Sequence, residues 1–304
     1  MDRFEEMRNF VRIVDSGSIT RAAETSHIAK SAISRRLSEL EERLNVQLIN
    51  RTTRRMTLTD AGRRFYDECQ RLLADLEEVE GHLNAAETEL KGKIRLAAPS
   101  AFGLAHLTPA ITEFSKQHPA VNFEIDFNDR RIDMIEEGFD LALRISKLAD
   151  SRMMARRLAP VSGLVVASPS YWDQHGRPKK PEDLSKHPSL EYSYRGYSAW
   201  RYEGPRGKSG SVRINEVMSA NHGYFIRDAA IAGLGVAMQP TFICNQAVEE
   251  GLLEPVLTQY KWINLELYAI YPNTRHLPQR IRIFIDYLVE LWGDDPYWDE
   301  CYEC

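Results

Sequence analysis

The chain has 304 residues, 43% hydrophobic and 27% charged, with a net charge of −5. That length exceeds one ordinary core and suits two or three domains of a soluble globular protein. No apolar run reaches the roughly 18 residues of a membrane span. The opening stretch alternates charge with apolar residues where a secretory leader would carry an apolar core, so a cytoplasmic protein without a membrane partner is expected.

Charge is unevenly spread. Residues 1–64 hold 13 Lys/Arg against 9 Asp/Glu, and the remainder holds 26 against 35. A basic head on an acidic body suits a module that meets phosphates while the rest stays clear of them.

In chain order, Met7, Phe10, Val11 and Val14 fall at i, i+3, i+4 and i+7 and predict a first amphipathic helix. Ser16-Gly17-Ser18 breaks it, and Ser18 can cap a second helix through Ile19–Ser26. A third helix is expected over Ser31–Arg43, with Ile33, Leu37, Leu40 and Leu44 as its buried stripe. On its other side Ser31, Ser34, Arg35 and Ser38 repeat at i, i+3, i+4 and i+7. Short hydroxyls beside a guanidinium suit a helix entering the major groove, where Arg can chelate guanine O6 and N7. The same spacing also fits a solvated surface face. Residues 51–58 are basic and partly β-prone, as in a short hairpin.

From Thr59, a candidate N-cap, one long helix is predicted. Phe65, Cys69, Leu72, Leu76, Val79, Leu83, Ala86 and Leu90 alternate spacings of four and three, the seam of a coiled coil. Such a helix, roughly 45 Å long at about 1.5 Å per residue, needs a partner, so a homodimer through residues 59–90 is expected. Beyond Lys91-Gly92, strands and helices alternate. Strands are expected at Ile94–Ala98, Val121–Phe127, Phe139–Ile145, Leu164–Ala167, Gly233–Ala237 and Leu265–Tyr271. Helices are expected at Phe102–Gln117, Ile132–Glu137, Arg227–Ala232 and Ile281–Leu291. This order predicts an α/β domain on mixed or parallel sheets.

The four cysteines, Cys69, Cys244, Cys301 and Cys304, are too few and scattered for a disulfide framework. Cys69 falls on an apolar seam, where packing is its expected role. Cys301-x-x-Cys304 has the spacing of a redox or metal pair, against the plainer reading of two tail thiols.

Residues 10–62 resemble the LysR-type transcriptional regulators. The matching string is Phe10-x-x-Ile13-Val14-x-x-Gly17-Ser18-x-Thr20-x-Ala22-Ala23, then Ser31-Ala32-Ile33-Ser34-Arg35-x-Leu37-x-x-Leu40-Glu41. It continues through Leu44, Leu48, Arg51 and Leu58-Thr59-x-Ala61-Gly62, and further along come Phe139-Asp140-Leu141-Ala142-Leu143-Arg144, Gly233-Leu234-Gly235 and Pro240. The resemblance implies a winged helix-turn-helix over 1–58, a linker helix over 59–91 and a periplasmic-binding-protein-like effector domain over 92–304. That domain would have two α/β subdomains, 92–166 with 268–304, and 167–267. It also implies a bacterial protein that binds double-stranded DNA and a small-molecule effector, forms a homotetramer and works with RNA polymerase.

The DNA contacts so implied are Thr20, Lys30, Ser31, Ser34, Arg35 and Ser38, with wing residues Arg51, Arg54 and Arg55 neutralising phosphate. Three positions depart from the family pattern: Ser26, Ala29-Lys30 and Asn45. Ala29 removes a capping hydroxyl unless Ser31 caps instead, and Asn45 is the next-best residue to Gly for a left-handed turn.

For the effector, ligands of open α/β sheets lie beyond strand ends and at helix N-termini. Ser100, Ala101 and Phe102, Arg144, and Asn221 with His222 occupy such places, and Asn128 ends a strand at a position where the resemblance implies a ligand contact. Arg144 fits either a bidentate carboxylate contact or a structural ion pair, and His222 either the cleft or a helix cap. A small organic or aromatic acid is the expected effector. Signalling through Cys244 or the tail thiols is the alternative. No nucleophile elbow, P-loop, HExxH or complete dinucleotide fingerprint occurs, so neither an enzyme, a cofactor nor a metal is expected.

Overall fold

The computed structural model describes residues 2–302 apart from 27, 52–55, 82–89, 131, 147–152, 196–198 and 274–276. It divides into two compact units, Met1–Lys93 and Ile94–Cys304.

In the first unit, Asp2 caps α1 (Arg3–Ser16) by accepting the Phe4 N–H at 3.0 Å, and Gly17 ends it at φ 64°. Ser18 caps α2 (Ile19–Thr25). Helix α3 (Lys30–Leu44) starts with no side-chain cap, so neither Ala29 nor Ser31 supplies the missing hydroxyl. It ends at Asn45 with φ 51°, the left-handed turn its residue type favours. Strands β1 (Ile49–Arg51) and β2 (Met56–Leu58) form an antiparallel hairpin. Thr59 Oγ1 then accepts the Gly62 N–H at 2.9 Å and caps α4 (Asp60–Gly81).

Ile33, Leu37 and Leu40 join Phe10, Ile13, Ala22, Ala23, Leu48, Ile49 and Cys69 in one core. The α1 face is rotated from the expected stripe. Phe10 and Ile13 are buried, while Met7, Val11 and Val14 pack at the margin, because Glu6 and Asn9 also turn inward. Glu6 is paired by Arg43 of α3 at 2.6 Å, which offsets the cost of burying a carboxylate. On α4, Phe65 and Cys69 face this core and Leu73 is buried, while Leu72, on the seam expected to meet a partner helix, is 41% exposed in the single chain. Leu83 and Ala86 of the expected seam lie outside the described residues. Among those residues, no helix is long and apolar enough to cross a membrane.

Strand β3 (Gly92–Ala98) carries the chain into the second unit, followed by α5 (Ser100–Phe102), a π-helical turn over Gly103–Leu107 and α6 (Thr108–Gln117). Then come β4 (Val121–Phe127), β5 (Leu141–Ser146), β6 (Met154–Val161) and β7 (Gly163–Ala167). Helix α7 (Pro169–His175) leads to β8 (Pro188–Tyr192), a hairpin of β9 (Ala199–Glu203) with β10 (Ser209–Arg213), and β11 (Asn215–Ala220). The chain continues through α8 (Gly223–Ile231), β12 (Val236–Pro240), α9 (Thr241–Glu249), β13 (Glu254–Val256), β14 (Leu265–Tyr271) and α10 (Gln279–Trp292).

These strands build two five-stranded mixed sheets, ordered β4-β3-β5-β14-β6 and β11-β8-β12-β7-β13. The chain leaves the first sheet at Ser162, between β6 and β7, and returns with Leu265. Both crossovers fall a few residues before the expected 166/167 and 267/268, because β6 was unforeseen and Leu164–Ala167 pairs within the second sheet. The expected helix at 132–137 is a run of turns. Asp133 Oδ1 accepts the N–H groups of Ile135 and Glu136, a local bond that competes with helix. Phe114 of α6, Phe123 of β4 and Phe284 of α10 make edge contacts in the first subdomain's core. Leu164, Val166, Leu190 and Ala237 pack beneath Ile226, Ala230, Cys244 and Ala247 in the second.

Candidate nucleic-acid interface

The burial of Ile33, Leu37 and Leu40 turns the opposite side of α3 outward. Lys30, Ser31, Arg35 and Ser38 are exposed there, and Ser34 is half-buried. Arg35 extends its Nε to 3.1 Å from Glu39 Oε1, one turn along. This exposed pair adds little to stability, but it holds the guanidinium along the helix axis. Ser38 Oγ donates back to the Ser34 carbonyl at 3.2 Å. Thr20 is exposed on α2. Arg51 ends β1, its side chain undescribed, and Arg54 and Arg55 lie outside the described residues.

Thr59 Oγ1 also donates to the Gln47 carbonyl at 2.8 Å, and its N–H donates to Leu48 O at 3.0 Å. A Cβ on Gly62 would lie 1.9 Å from that same oxygen. The start of α4 is thus braced on residues 47–48.

In the second unit, the ends of β3 and β4 bring Ser100, Asn128 and Asp129 together. The Asn128 N–H bonds Ala98 O at 3.0 Å, and the Ser100 N–H points at Asp129 Oδ2 at 3.4 Å. Asp129, a residue that no motif in the sequence marks, therefore places a carboxylate where an acidic ligand was expected. Both polar atoms of the Asn128 carboxamide are shut from solvent, with no hydrogen-bond partner among the described residues. Arg130 grips Glu137 through two bonds and holds its carboxyl below the usual range, with Arg144 of β5 adding to the pull. A Cβ on Gly223 would stand 3.8 Å from the Ala101 Cβ. The start of α8, with Asn221 exposed and His222 half-buried, thus adjoins the start of α5. His222 stands at the N-cap position without a side-chain bond, so it is not the cap the sequence allowed.

Phe102 is not at this surface. Its ring is wholly buried and meets His106, Phe242, Trp292 and Trp298 at centroid distances of 5.1–5.4 Å. The ring is held in an aromatic core, and Ala101 is 8% exposed. Cys244 is also sealed, and burial pushes its thiol up to about 12. A thiol so placed is a poorer nucleophile than an exposed one. Burial does the same to Cys69, in its expected packing role. The Cys301 side chain and Cys304 lie outside the described residues.

Residues 4–63 match the model of the bacterial regulatory helix-turn-helix proteins of the lysR family, and residues 87–293 match the LysR substrate binding domain. An HTH-type transcriptional regulator of Haemophilus influenzae is 35% identical, over 92% of this chain and 98% of its own. An HTH-type transcriptional repressor of Pseudomonas aeruginosa is 32% identical, over 97% and 94%. The solved structure of CrgA, a LysR-type transcriptional regulator from Neisseria meningitidis, superposes with a TM-score of 0.60. It is 31% identical and covers 94% of this chain and 97% of that one.

Proposed function

The chain belongs to the LysR family of bacterial transcriptional regulators, and on that premise we propose that its promoter binding is set by a small molecule held between the two sheets of the second unit. The observation that carries the DNA half is α3, anchored by Ile33, Leu37 and Leu40 with Ser31, Arg35 and Ser38 turned outward. Arg35 and Ser34 read base edges, while Arg51, Arg54 and Arg55 meet phosphates. Thr20, Lys30, Ser31 and Ser38 complete the contact. The protein acts in the bacterial cytoplasm as a regulator and not an enzyme. It dimerises through residues 59–90, assembles to a tetramer on DNA and meets RNA polymerase there.

The effector half rests on Asn128, whose buried carboxamide has a donor and an acceptor unanswered. Leaving such groups unpaired costs about 1–3 kcal/mol, which a ligand bridging Ser100, Ala101, Asn128 and the Asn221–His222 turn would recover. An organic acid would reach Arg144 with its carboxylate and keep clear of Asp129. Redox control, the alternative, would act through Cys301 and Cys304, or through Cys244 once its burial is relieved.

Footprinting on the DNA upstream of the chain's own gene, at several salt concentrations, tests the reading. A pair of protected sites with a steep salt slope is expected. Equal affinity for that DNA and a random duplex, with and without candidate acids, would overturn it.

A further inference from the structure

Glu41 follows Ser34 and Ser38 at the spacing i, i+4, i+7, so a carboxylate continues the polar stripe of α3. On a face that meets phosphates, such a charge repels. Instead, Glu41 Oε1 accepts the Leu48 N–H at 2.8 Å and the Ile49 N–H at 3.1 Å. The Ile49 carbonyl is taken by Gln47 Nε2 at 3.1 Å. Leu48 and Ile49 are 1% and 0% exposed, so these backbone groups have little water to turn to.

We propose that Glu41 is a positioning residue for DNA reading. It ties the first strand of the β1/β2 hairpin to the last turn of α3, so that the hairpin arginines meet phosphates when α3 is in the groove. The inference rests on the DNA reading above. One oxygen takes both N–H groups, and these two bonds need reach and an acceptor rather than a charge. An amide oxygen has two lone pairs and can do the same.

Glu41→Gln keeps the reach and loses the charge, whereas Glu41→Asp keeps the charge and is one methylene short. Binding would be measured to the duplex protected in the footprint and to a random duplex of equal length, across a salt series, with a thermal melt of each variant. Glu41→Gln is expected to keep the wild-type salt slope. Glu41→Asp is expected to weaken both duplexes alike, about fivefold or more, with a slope shallower by about 0.9 for each phosphate no longer neutralised. Its preference for the protected duplex stays unchanged. A charge-dependent pattern, with Asp normal and Gln impaired, overturns the proposal, as does a wild-type slope in both variants. A wild-type chain with neither slope nor preference overturns the DNA reading itself.

Discussion

His106 Nε2 lies 3.0 Å from the carbonyl oxygen of Phe242, so an imidazole on the first subdomain's π-helical turn is hydrogen-bonded to the helix packed on the second sheet. A carbonyl only accepts, so Nε2 carries the proton. Nδ1 is then free to accept from Tyr297 Oη at 2.5 Å. Burial pulls the His106 pKa below its ordinary value, with the Phe242 carbonyl pulling the other way. The neutral ring's contribution to stability is therefore complete above about pH 6.5 and is lost as pH falls through that value toward the lower folded one. Thermal melts from pH 7.5 to 5 should fall more steeply for wild type than for His106→Gln, which keeps a donor and an acceptor but does not titrate. The difference is capped at about 1.4 kcal/mol per pH unit. Parallel curves would remove His106 as the cause.

The Arg35–Glu39 pair sets a second expectation. Arg35→Ala should relax sequence preference by about 1–3 kcal/mol, whereas Arg54→Ala should weaken all sequences alike. Competition binding with single-base variants of the protected site measures both. Equal loss on specific and random DNA for Arg35→Ala would reject its base-reading role.

Gly62 has no room for a side chain, since a Cβ would stand 1.9 Å from the Leu48 oxygen. Gly62→Ala should destabilise the first unit by about 1–3 kcal/mol through forced backbone movement. Urea unfolding of the full chain followed by a probe in residues 1–93 reads this, and an unchanged midpoint would contradict the close approach.

Asp129 and Arg144 should act in opposite directions on an acidic effector. Asp129→Asn removes a carboxylate beside the Ser100 N–H and should tighten binding of an acid that binds wild type, while Arg144→Ala should weaken it. Titration calorimetry measures both. Weaker acid binding in Asp129→Asn would mean that Asp129 instead receives a donor from the ligand.

Cys244 should resist a neutral maleimide at pH 8 until the protein unfolds, because its thiol is buried and held protonated. Mass spectrometry after timed labelling decides this. Rapid native labelling would reopen redox control at this residue.

Much of the first unit was legible in the sequence because its signals are local. The Ile33, Leu37 and Leu40 spacing, the Ser18 and Thr59 caps and the left-handed Asn45 are each decided within a turn or two of helix, and each is found in place. The long apolar strands, such as Leu265–Tyr271, were readable for the same reason. Strand β6 was not. It is an edge strand, Met154–Val161, with two arginines, a proline and an exposed first half, so it lacks the apolar run that marks a central strand.

Periodicity states which side of an element is apolar and leaves open what covers it. Which of Leu72 and Leu73 is buried follows from the rotation of α4 against α1, and the inward turn of Phe102 follows from rings contributed by residues 242, 292 and 298. The approach of Asp129 to Ser100 and the reach of Glu41 to Leu48 and Ile49 depend on backbone groups brought together by folding. The sequence by itself determined the helix-turn-helix, its outward polar face and the α/β class, because those follow from spacing along one element. Only the tertiary structure decided the crossover at Ser162, the sealing of Phe102 and Cys244 and the carboxylate in the cleft, because each joins segments far apart in the chain.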